Sequence, residues 1–459
     1  MLRVLHLQFC SCFVLSCCSE EEDAVTNGIS VRELVLDILI EVNEKEQYSH
    51  LVIRDVLNKY QYLEKQERAF LTRLAEGTIE HMLEMDFIIN SFSKVKVNKM
   101  KPLIRNLLRM SVYQLKYMDS IPDAAVCNEA VKLARKRGFG QLRGFVNGVL
   151  RNIARELEYL QYPDEKLEPV RFLEVTYSVP AWMVEQWLKS YGYEQAKKIC
   201  ASFLQERPIT IRTNLLKTTP AELKQKLEVE GVTVNAIDKL SYAFEISGYD
   251  YLQSLESFQE GLFYVQDISS MMVAEIAAPE KENYIIDVCA APGGKSSHLA
   301  EKMAGTGMVE ARDLTEYKVC LIEENIERHG LQNMHAVQMD ATVFDADSKE
   351  KADILICDLP CSGLGVMGKK TDIRYKMTPE KQHDLVMLQR QILDTVHTYV
   401  KKGGSLVYST CTIHPEENTG NVTWFVEKYP EFEVVSSQQM FPGGEYHDGF
   451  FIAKLKRKS

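Results

Sequence analysis

Short apolar runs alternate with helical patterns from Gly261 to the end of the chain, and this alternation constrains the fold more than any other feature. Strands separated by helices form a parallel, doubly wound sheet, because a crossover between parallel strands needs the length of a helix. The last two runs, 432–435 and 450–455, have no long helix between them and predict an antiparallel edge hairpin. We therefore expect an α/β domain over residues 261–459 with a seven-stranded, mostly parallel sheet, whose first five strands are 284–289, 308–311, 335–339, 354–357 and 405–408.

Helical periodicity dominates the first part of the chain. At 459 residues the chain is long enough for two or three domains. Apolar residues recur at helical spacing over 31–42, 103–115 and 145–153, which predicts an all-helical module over residues 28–158. A proline-marked linker follows, and residues 165–260 predict a small α+β subdomain with strands at 209–214, 232–234 and 243–246 and a helix at 220–230.

Basic residues are concentrated in the helical module. The whole chain has a net charge of -11, yet residues 91–155 hold fourteen Lys and Arg against three Asp and Glu. A local basic face on an acidic protein is typical of a selective nucleic-acid binder, because Lys and Arg displace the counterions of phosphates. The alternative is that these charges form ordinary solvated helix faces.

Composition argues against several other classes of protein. No apolar run reaches the about 18 residues that a membrane-spanning helix needs, so we expect a soluble protein without a membrane partner. The eleven cysteines form no CxxC pair and no Cys/His cluster with zinc spacing, which predicts reduced thiols, no bound metal and a cytoplasmic location. Residues 1–27 match nothing downstream in composition, and we interpret them as a leader that is disordered or stems from a misassigned start.

The segment DVCAAPGGKSS, residues 287–297, ends like a phosphate-binding P-loop. A P-loop needs Gly-x-x-x-x-Gly-Lys-Ser, and the first required glycine falls here on Cys289. Two acids follow at the ends of predicted strands: Asp313, where such folds bind ribose hydroxyls, and Asp340 on the adenine side. A glycine turn with these acids predicts a cleft for an adenosine ligand without a triphosphate, and S-adenosylmethionine fits this description.

Two cysteines distinguish this cleft from that of an ATPase. The run ILICD, residues 354–358, matches a Walker B strand and leaves a P-loop NTPase as the alternative. The chain continues, however, as DLPCSGLG and later carries YSTCT, so that Cys361 and Cys411 each follow a predicted strand end, where ligands bind in open α/β sheets. The other cysteines of this domain are interpreted as small buried hydrophobic residues: Cys289, Cys320 and Cys357.

These motifs resemble those of the RsmB/NOP/Sun family of RNA 5-methylcytosine methyltransferases, and the similarity covers essentially the whole chain after the leader. The resemblance implies a NusB-like RNA-binding domain, a small α+β RNA-binding subdomain and a Rossmann-like, class I S-adenosylmethionine-dependent methyltransferase domain. The implied substrate is one cytosine of 16S ribosomal RNA, cytosine 967, and the alternative is a cytosine of another ribosomal or transfer RNA target. We expect the enzyme to act as a monomer.

The resemblance also implies roles for individual residues. Cys411 in the Thr-Cys motif would be the nucleophile, and Cys361 in the Pro-Cys motif would assist product release. DNA 5-methylcytosine enzymes use the Pro-Cys residue as nucleophile, so Cys361 remains the alternative attacking group. Cofactor binding would involve Cys289, Ala290, Ala291, Pro292, Gly293, Gly294, Lys295, Asp313, Asp340 and Asp358.

Carbon 5 of cytosine is a poor nucleophile, which explains the need for a thiolate. A sulfur that adds to C6 pushes electrons into the ring, so that C5 attacks the methyl group. Asp358 would share a proton with N3, and Cys361 or a water that it positions would take the C5 proton before Cys411 leaves. A stacked base cannot reach such a cleft, so we expect an unpaired or flipped nucleotide. A non-enzymatic RNA-binding scaffold is a further alternative, but it leaves both cysteines unexplained.

Overall fold

The N-terminal module is a bundle of helices, as expected. The computed structural model describes residues 30–205, 208–444 and 448–459, so the proposed leader, residues 1–27, lies outside the described residues. Each helix buries an apolar stripe, as Val35, Ile38 and Leu39 do on the first. Among the described residues, we find no helix that combines the length and the apolar composition needed to span a membrane. The helices of the module are α1 (Val31–Glu44), α2 (Ser49–Lys59), α3 (Lys65–Glu80), α4 (Met82–Phe92), α5 (Pro102–Tyr117), α6 (Asp123–Lys136) and α7 (Arg143–Glu156).

Three connecting helices follow, α8 (Pro169–Tyr177), α9 (Ala181–Tyr191) and α10 (Tyr193–Ser202). They pack around the buried Trp187 and against Leu364, Met367 and Ile413, which lie in loops of the C-terminal domain. From the sequence, this stretch is expected to belong to the small α+β subdomain, residues 165–260. In the structure it forms a helical connector to the C-terminal domain.

A small antiparallel sheet forms the middle subdomain. Its elements are β1 (Ile209–Thr213), α11 (Pro220–Val229), β2 (Thr233–Ala236), β3 (Ala243–Ser247), α12 (Glu256–Gln259) and β4 (Phe263–Val265). The strands are ordered β2-β3-β1-β4, and Ile211, Phe244 and Phe263 pack with Leu223 of α11. The α+β prediction is confirmed. However, β4 lies beyond residue 260, where the domain boundary was expected, because its short run pairs with β1.

The C-terminal domain has the expected doubly wound α/β architecture. Its elements are α13 (Ile268–Ala277), β5 (Tyr284–Asp287), α14 (Gly294–Lys302), β6 (Met308–Asp313), α15 (Glu316–His329), β7 (Met334–Gln338), β8 (Ala352–Asp358), α16 (Ile373–Lys376), α17 (Pro379–Val396), β9 (Val400–Thr410), α18 (Asn421–Lys428), β10 (Phe432–Met440) and β11 (Phe450–Arg457). The seven strands are ordered β10-β11-β9-β8-β5-β6-β7. Strands β5 to β9 pair in parallel, and β11 pairs antiparallel with both β9 and β10. The mostly parallel sheet and its edge hairpin are therefore confirmed.

The carboxyl ends of the parallel strands lie along one edge of this sheet. Because β5 lies between β6 and β8, the segments that follow Asp287, Asp313, Asp358 and Thr410 meet at this edge. Ligands of open α/β sheets bind in the crevice outside these strand ends. The edge is therefore where a functional site is to be sought.

A buried arginine fixes the middle sheet to the C-terminal domain. Arg212 of β1 is 1% exposed, and its guanidinium pairs with Glu301. It also donates to Gln266 Oε1 (2.7 Å) and to Ser297 Oγ (3.2 Å). Glu301 and Ser297 both belong to α14, so the middle sheet is anchored on the helix that follows the glycine turn.

Candidate active site

The glycine turn between β5 and α14 leaves room beside its backbone. Gly293 has a φ of 100°, in the left-handed region where an L side chain would be strained. The turn is held by hydrogen bonds from Gly293 N to Ala290 O (2.7 Å) and from Ala290 N to Arg312 O (2.8 Å). A Cβ added to Gly294 would meet no atom within 4 Å. A ligand therefore has space to approach the backbone closely here.

An acidic side chain that the sequence analysis did not assign to the site lies beneath this turn. Asp287 ends β5, is 1% exposed and accepts a hydrogen bond from Ser296 Oγ at 2.5 Å. Burial raises the pKa of Asp287 from 3.8 to about 7, although the bond from Ser296 opposes the shift. Cys289 N also donates to Asp287 at 3.4 Å. Asp287 thus supports both ends of the turn from inside the domain.

The two acids expected on the ribose and adenine sides lie at the ends of β6 and β7. Asp313 is 3% exposed, accepts a hydrogen bond from Ala291 N (3.0 Å) and contacts Lys318 Nζ (3.0 Å). Asp340 is half-buried and accepts hydrogen bonds from the Thr342 hydroxyl and amide, which lower its pKa. Asp313 therefore ties the glycine turn to β6, in addition to any contact it makes with a ligand.

The structure places the ammonium of Lys295 on the carboxylate of Asp358. Lys295 Nζ donates to Asp358 Oδ2 at 2.7 Å, and Ser409 Oγ donates to Asp358 Oδ1 at 2.7 Å. Burial disfavours the charged lysine, but the attraction of Asp358 outweighs this effect and raises the pKa of Lys295. The ion pair joins the glycine turn to the end of β8. From the sequence, both residues are expected to contact the cofactor, and no local pattern indicates the contact between them.

The two cysteines singled out from the sequence lie side by side. Cys411 directly follows β9, Cys361 lies just beyond β8, and their sulfur atoms are 3.2 Å apart. A hydrogen bond from the Cys361 thiol lowers the pKa of Cys411 against the opposing effects of burial and of the Asp358 charge, and the charge of Lys295 offsets part of the Asp358 effect. The same contact raises the pKa of Cys361. Cys411 is therefore the sulfur of the pair that ionises first.

Family models match three successive parts of the chain. The NusB family matches residues 29–155, a ferredoxin-like domain of RsmF/B-like methyltransferases matches 179–249, and the model for 16S rRNA methyltransferase RsmB/F matches 274–456. A probable ribosomal RNA small subunit methyltransferase B of Bacillus subtilis strain 168 is 37% identical over 447 residues, which cover 94% of this chain and 99% of that protein. The chain belongs to the RsmB/F family of ribosomal RNA methyltransferases.

Other relatives agree with membership of the RsmB/F family. A protein of the same description from Synechocystis sp. PCC 6803 is 33% identical, over 94% of this chain and all of that protein (100%). The crystal structure of PH0851 superposes with a TM-score of 0.78 at 26% identity and covers 94% of this chain and 100% of that one. The structure of NSun6 from Pyrococcus horikoshii with SFG shares the fold, with a TM-score of 0.55 at 23% identity over 61% of this chain and 98% of that one. As an RsmB/F protein the chain is an S-adenosylmethionine-dependent methyltransferase, so the NTPase and scaffold alternatives are wrong.

The site residues named from the sequence all fall within the RsmB/F methyltransferase match. The structure divides them into two groups along the sheet edge. Lys295, Asp358, Cys361 and Cys411 lie together at the ends of β5, β8 and β9, whereas the acids Asp313 and Asp340 follow β6 and β7. The glycine turn lies between the two groups, which is the arrangement needed if the ligand bound there reacts at the cysteines.

The remaining cysteines of the RsmB/F domain do not behave alike. Cys357 is fully buried, and Cys289 is half-buried with a pKa that burial raises. Cys320 is exposed, so its interpretation as a buried hydrophobic residue is wrong. The reason is that α15 buries only Ile322 and His329 and turns the side that carries Cys320 to solvent.

The basic segment of the NusB-family module carries less free charge than its sequence suggests. Half of its fourteen cations form ion pairs, several with acids of α1 and α4 that lie outside residues 91–155; Arg109 with Asp86 and Lys116 with Glu84 are two examples. A charge count within the segment misses these partners. Within residues 91–155, all of which the structure describes, the exposed cations that form no ion pair are Lys94, Lys96, Lys99, Lys101, Arg135, Arg143 and Arg151.

Proposed function

We propose that this protein transfers the methyl group of S-adenosylmethionine to C5 of one unpaired or flipped cytosine in 16S ribosomal RNA, through a covalent bond between Cys411 and C6. The observation that carries the proposal is the pair of cysteine sulfurs 3.2 Å apart beside the Lys295–Asp358 ion pair. Family membership and the names of the relatives support ribosomal RNA as the substrate. Cytosine 967 is the target that the resemblance of the architecture favours.

S-adenosylmethionine is proposed to bind along the glycine turn, from Cys289 to Lys295, with Asp313, Asp340 and Asp358. The open space beside Gly294 and the left-handed Gly293 fit a ligand pressed against the backbone. The amino-terminal end of α14 favours a carboxylate, and the oxygens of Asp313 retain lone pairs for hydroxyl donors. When bound, the cofactor supplies a methyl group made electrophilic by a sulfonium. Calorimetric titration with S-adenosylmethionine and with ATP tests this assignment, and binding of ATP alone would reject it.

Cys411 acts first in the proposed mechanism. Its thiolate forms the S–C6 bond, and the electron pair of the C5=C6 bond is shared between C5 and N3 of the ring. A proton delivered to N3 through Asp358 neutralises the charge there and leaves C5 able to attack the methyl group, whose bond to sulfur would break with the electron pair left on the sulfur. Lys295 is the source of this proton, because its ammonium donates to the same carboxylate.

Release of the product reverses the addition. A base removes the proton from C5, the C5–H electron pair re-forms the C5=C6 bond, and the electrons of the S–C6 bond return to Cys411. The proton on N3 returns through Asp358 to Lys295. The raised pKa of Cys361 favours a water held by Cys361 over its own thiolate as that base. The Cys361 thiol then donates to the departing Cys411 sulfur and stabilises it as a thiolate.

Cysteine variants test the roles of the two sulfurs. Cys411→Ala is expected to show neither turnover nor a covalent RNA adduct. Cys361→Ala is expected to accumulate the adduct, which is detected as a protein band of reduced mobility on a denaturing gel. Cys320→Ala, which alters an exposed cysteine on α15, is the matched control and should keep normal turnover. An adduct that forms in Cys411→Ala would transfer the role of nucleophile to Cys361.

The unpaired cations of the NusB-family module are proposed to hold the RNA around the target, with the enzyme acting as a monomer without a metal ion. The cysteines of the described residues are free thiols, which supports a cytoplasmic location.

Bisulfite mapping of ribosomal RNA from a deletion strain and its parent identifies the methylated nucleotide. Loss of methylation at cytosine 967 alone is expected. Loss at a different cytosine would replace the target and keep the chemistry.

A further inference from the structure

A buried glutamate lies behind the two cysteines. Glu417 belongs to the π-helical turn Glu416–Gly420 that follows β9, and its side chain is 0% exposed. Its carboxylate accepts hydrogen bonds from Ser362 N (2.9 Å), from Ser362 Oγ and from Gln389 Nε2 (2.9 Å). A buried carboxylate is stable only when hydrogen-bond donors compensate its loss of hydration. The surrounding loops supply these donors to Glu417.

Glu417 holds the loop of Cys361 on both sides of the cysteine. Ser362 follows Cys361 and donates two hydrogen bonds to Glu417. Gln389 of α17 donates both to Glu417 and to Pro360 O (2.8 Å), the carbonyl that precedes Cys361. The residues before and after Cys361 are therefore fixed through one carboxylate and one amide.

The same carboxylate is linked to the loop of Cys411. The Ser362 hydroxyl has a single hydrogen, which it donates to Glu417, so it accepts the hydrogen bond from Thr412 Oγ1 at 2.8 Å. Thr412 directly follows Cys411 in the chain. His414 Nδ1 lies 3.4 Å from Glu417 Oε1 on the same loop. Glu417 thus joins the neighbours of both cysteines at one point.

We infer that Glu417 is a positioning residue that sets the separation and orientation of the Cys361 and Cys411 sulfurs, so that the Cys361 thiol donates to Cys411. The inference rests on the proposed function, in which Cys411 attacks and Cys361 assists release. The contact with Cys411 is the main cause of the raised pKa of Cys361, and the charge of Glu417 contributes to it. Glu417 therefore supports both the ionisation of one cysteine and the protonation of the other.

The first test measures the thiols without RNA. Glu417→Gln keeps the size of the side chain but removes its charge and replaces one acceptor with a donor. We expect the pH midpoint for iodoacetamide alkylation of Cys411, followed by peptide mass spectrometry, to rise by about one pH unit, which is a tenfold loss of thiolate below the midpoint. Glu416→Gln makes the same charge change at an exposed position of the same turn and should keep the wild-type midpoint.

The second test measures the reaction with RNA and S-adenosylmethionine. Glu417→Gln is expected to lower kcat about tenfold, to leave KM for RNA unchanged and to accumulate the covalent adduct, because the release step is slowed. An alkylation midpoint and adduct level equal to those of Glu416→Gln would overturn the inference, whatever the change in melting temperature. If Glu417→Gln does not fold, Ser362→Ala, which removes the hydroxyl link alone, carries the same expectations.

The failure of this inference and the failure of the proposed function are distinguishable. An adduct that persists in Cys411→Ala would reject the proposed nucleophile. The alkylation midpoint is read on the free protein and still decides whether Glu417 controls the Cys411 thiol.

Discussion

Replacement of Lys295 by Met tests the ion pair at the centre of the site. The Met side chain is about as long as the aliphatic part of Lys295, but it lacks the ammonium that donates to Asp358 at 2.7 Å. A hydrogen bond between charged groups contributes about 1.5–3 kcal/mol, and its loss in the transition state corresponds to a decrease of roughly 10- to 150-fold in kcat. Because the charge of Lys295 also lowers the pKa of Cys411, its removal raises that pKa. The thiolate is the reactive form, so the acidic limb of the pH–rate profile is expected to move to higher pH.

The assay follows transfer of a labelled methyl group to a 16S ribosomal RNA fragment across the neutral pH range. Lys302→Met is the matched control, since Lys302 lies on the same helix and its ammonium pairs with Glu275 at 2.9 Å, away from the cysteines. The control should keep the wild-type kcat and profile. A Lys295→Met enzyme with normal kcat, an unmoved acidic limb and only a higher KM for the cofactor would refute a role for Lys295 through Asp358 and Cys411.

Two further predictions concern buried and exposed charges. The folded protein keeps a proton on Asp287 up to a pKa of about 7, against 3.8 when unfolded, so its contribution to the free energy of unfolding falls as pH rises between these values. Asp287→Asn should remove this decrease in melting experiments, and an unchanged slope would contradict the assigned pKa. Joint replacement of Arg143 and Arg151 by Ala should reduce the slope of log affinity against log salt by about two in RNA-binding titrations. The charge of Arg155 is paired with Glu156, so Arg155→Ala should change this slope by less than half of the change seen in the double variant. An effect of Arg155→Ala as large as half of the double variant's effect would argue against a defined RNA-binding surface.

Local pattern was sufficient for the elements of the catalytic sheet and insufficient for the contacts between them. The runs that became β5 and β8 are apolar and bounded by turns, so strand position and the convergence of Cys361 and Cys411 at one edge followed from the sequence. The Lys295–Asp358 pair did not, because its members are 63 residues apart and no periodicity links them. Glu417 was missed for the same reason, since a buried carboxylate looks like any other acid until its donors are known.

Contacts between segments remote in sequence also determine which hydrophobic core a connecting segment packs into. The strand β4 has only three residues, and its partner β1 lies about fifty residues earlier in the chain, so no local signal assigned it to the middle sheet. The acids of α1 and α4 that neutralise cations such as Arg109 likewise lie outside the segment whose charges were counted. Contacts of this kind leave no local signal, because they depend on a neighbour in space that is remote in sequence.

The anchoring of the middle sheet by Arg212 limits how this enzyme can move. A rotation of that sheet relative to α14 would separate Arg212 from Glu301 in the interior, at a cost of about 3–5 kcal/mol. The middle sheet therefore keeps one orientation relative to α14 and to the glycine turn that precedes this helix. The relative placement of these two parts of the chain is consequently set when the protein folds.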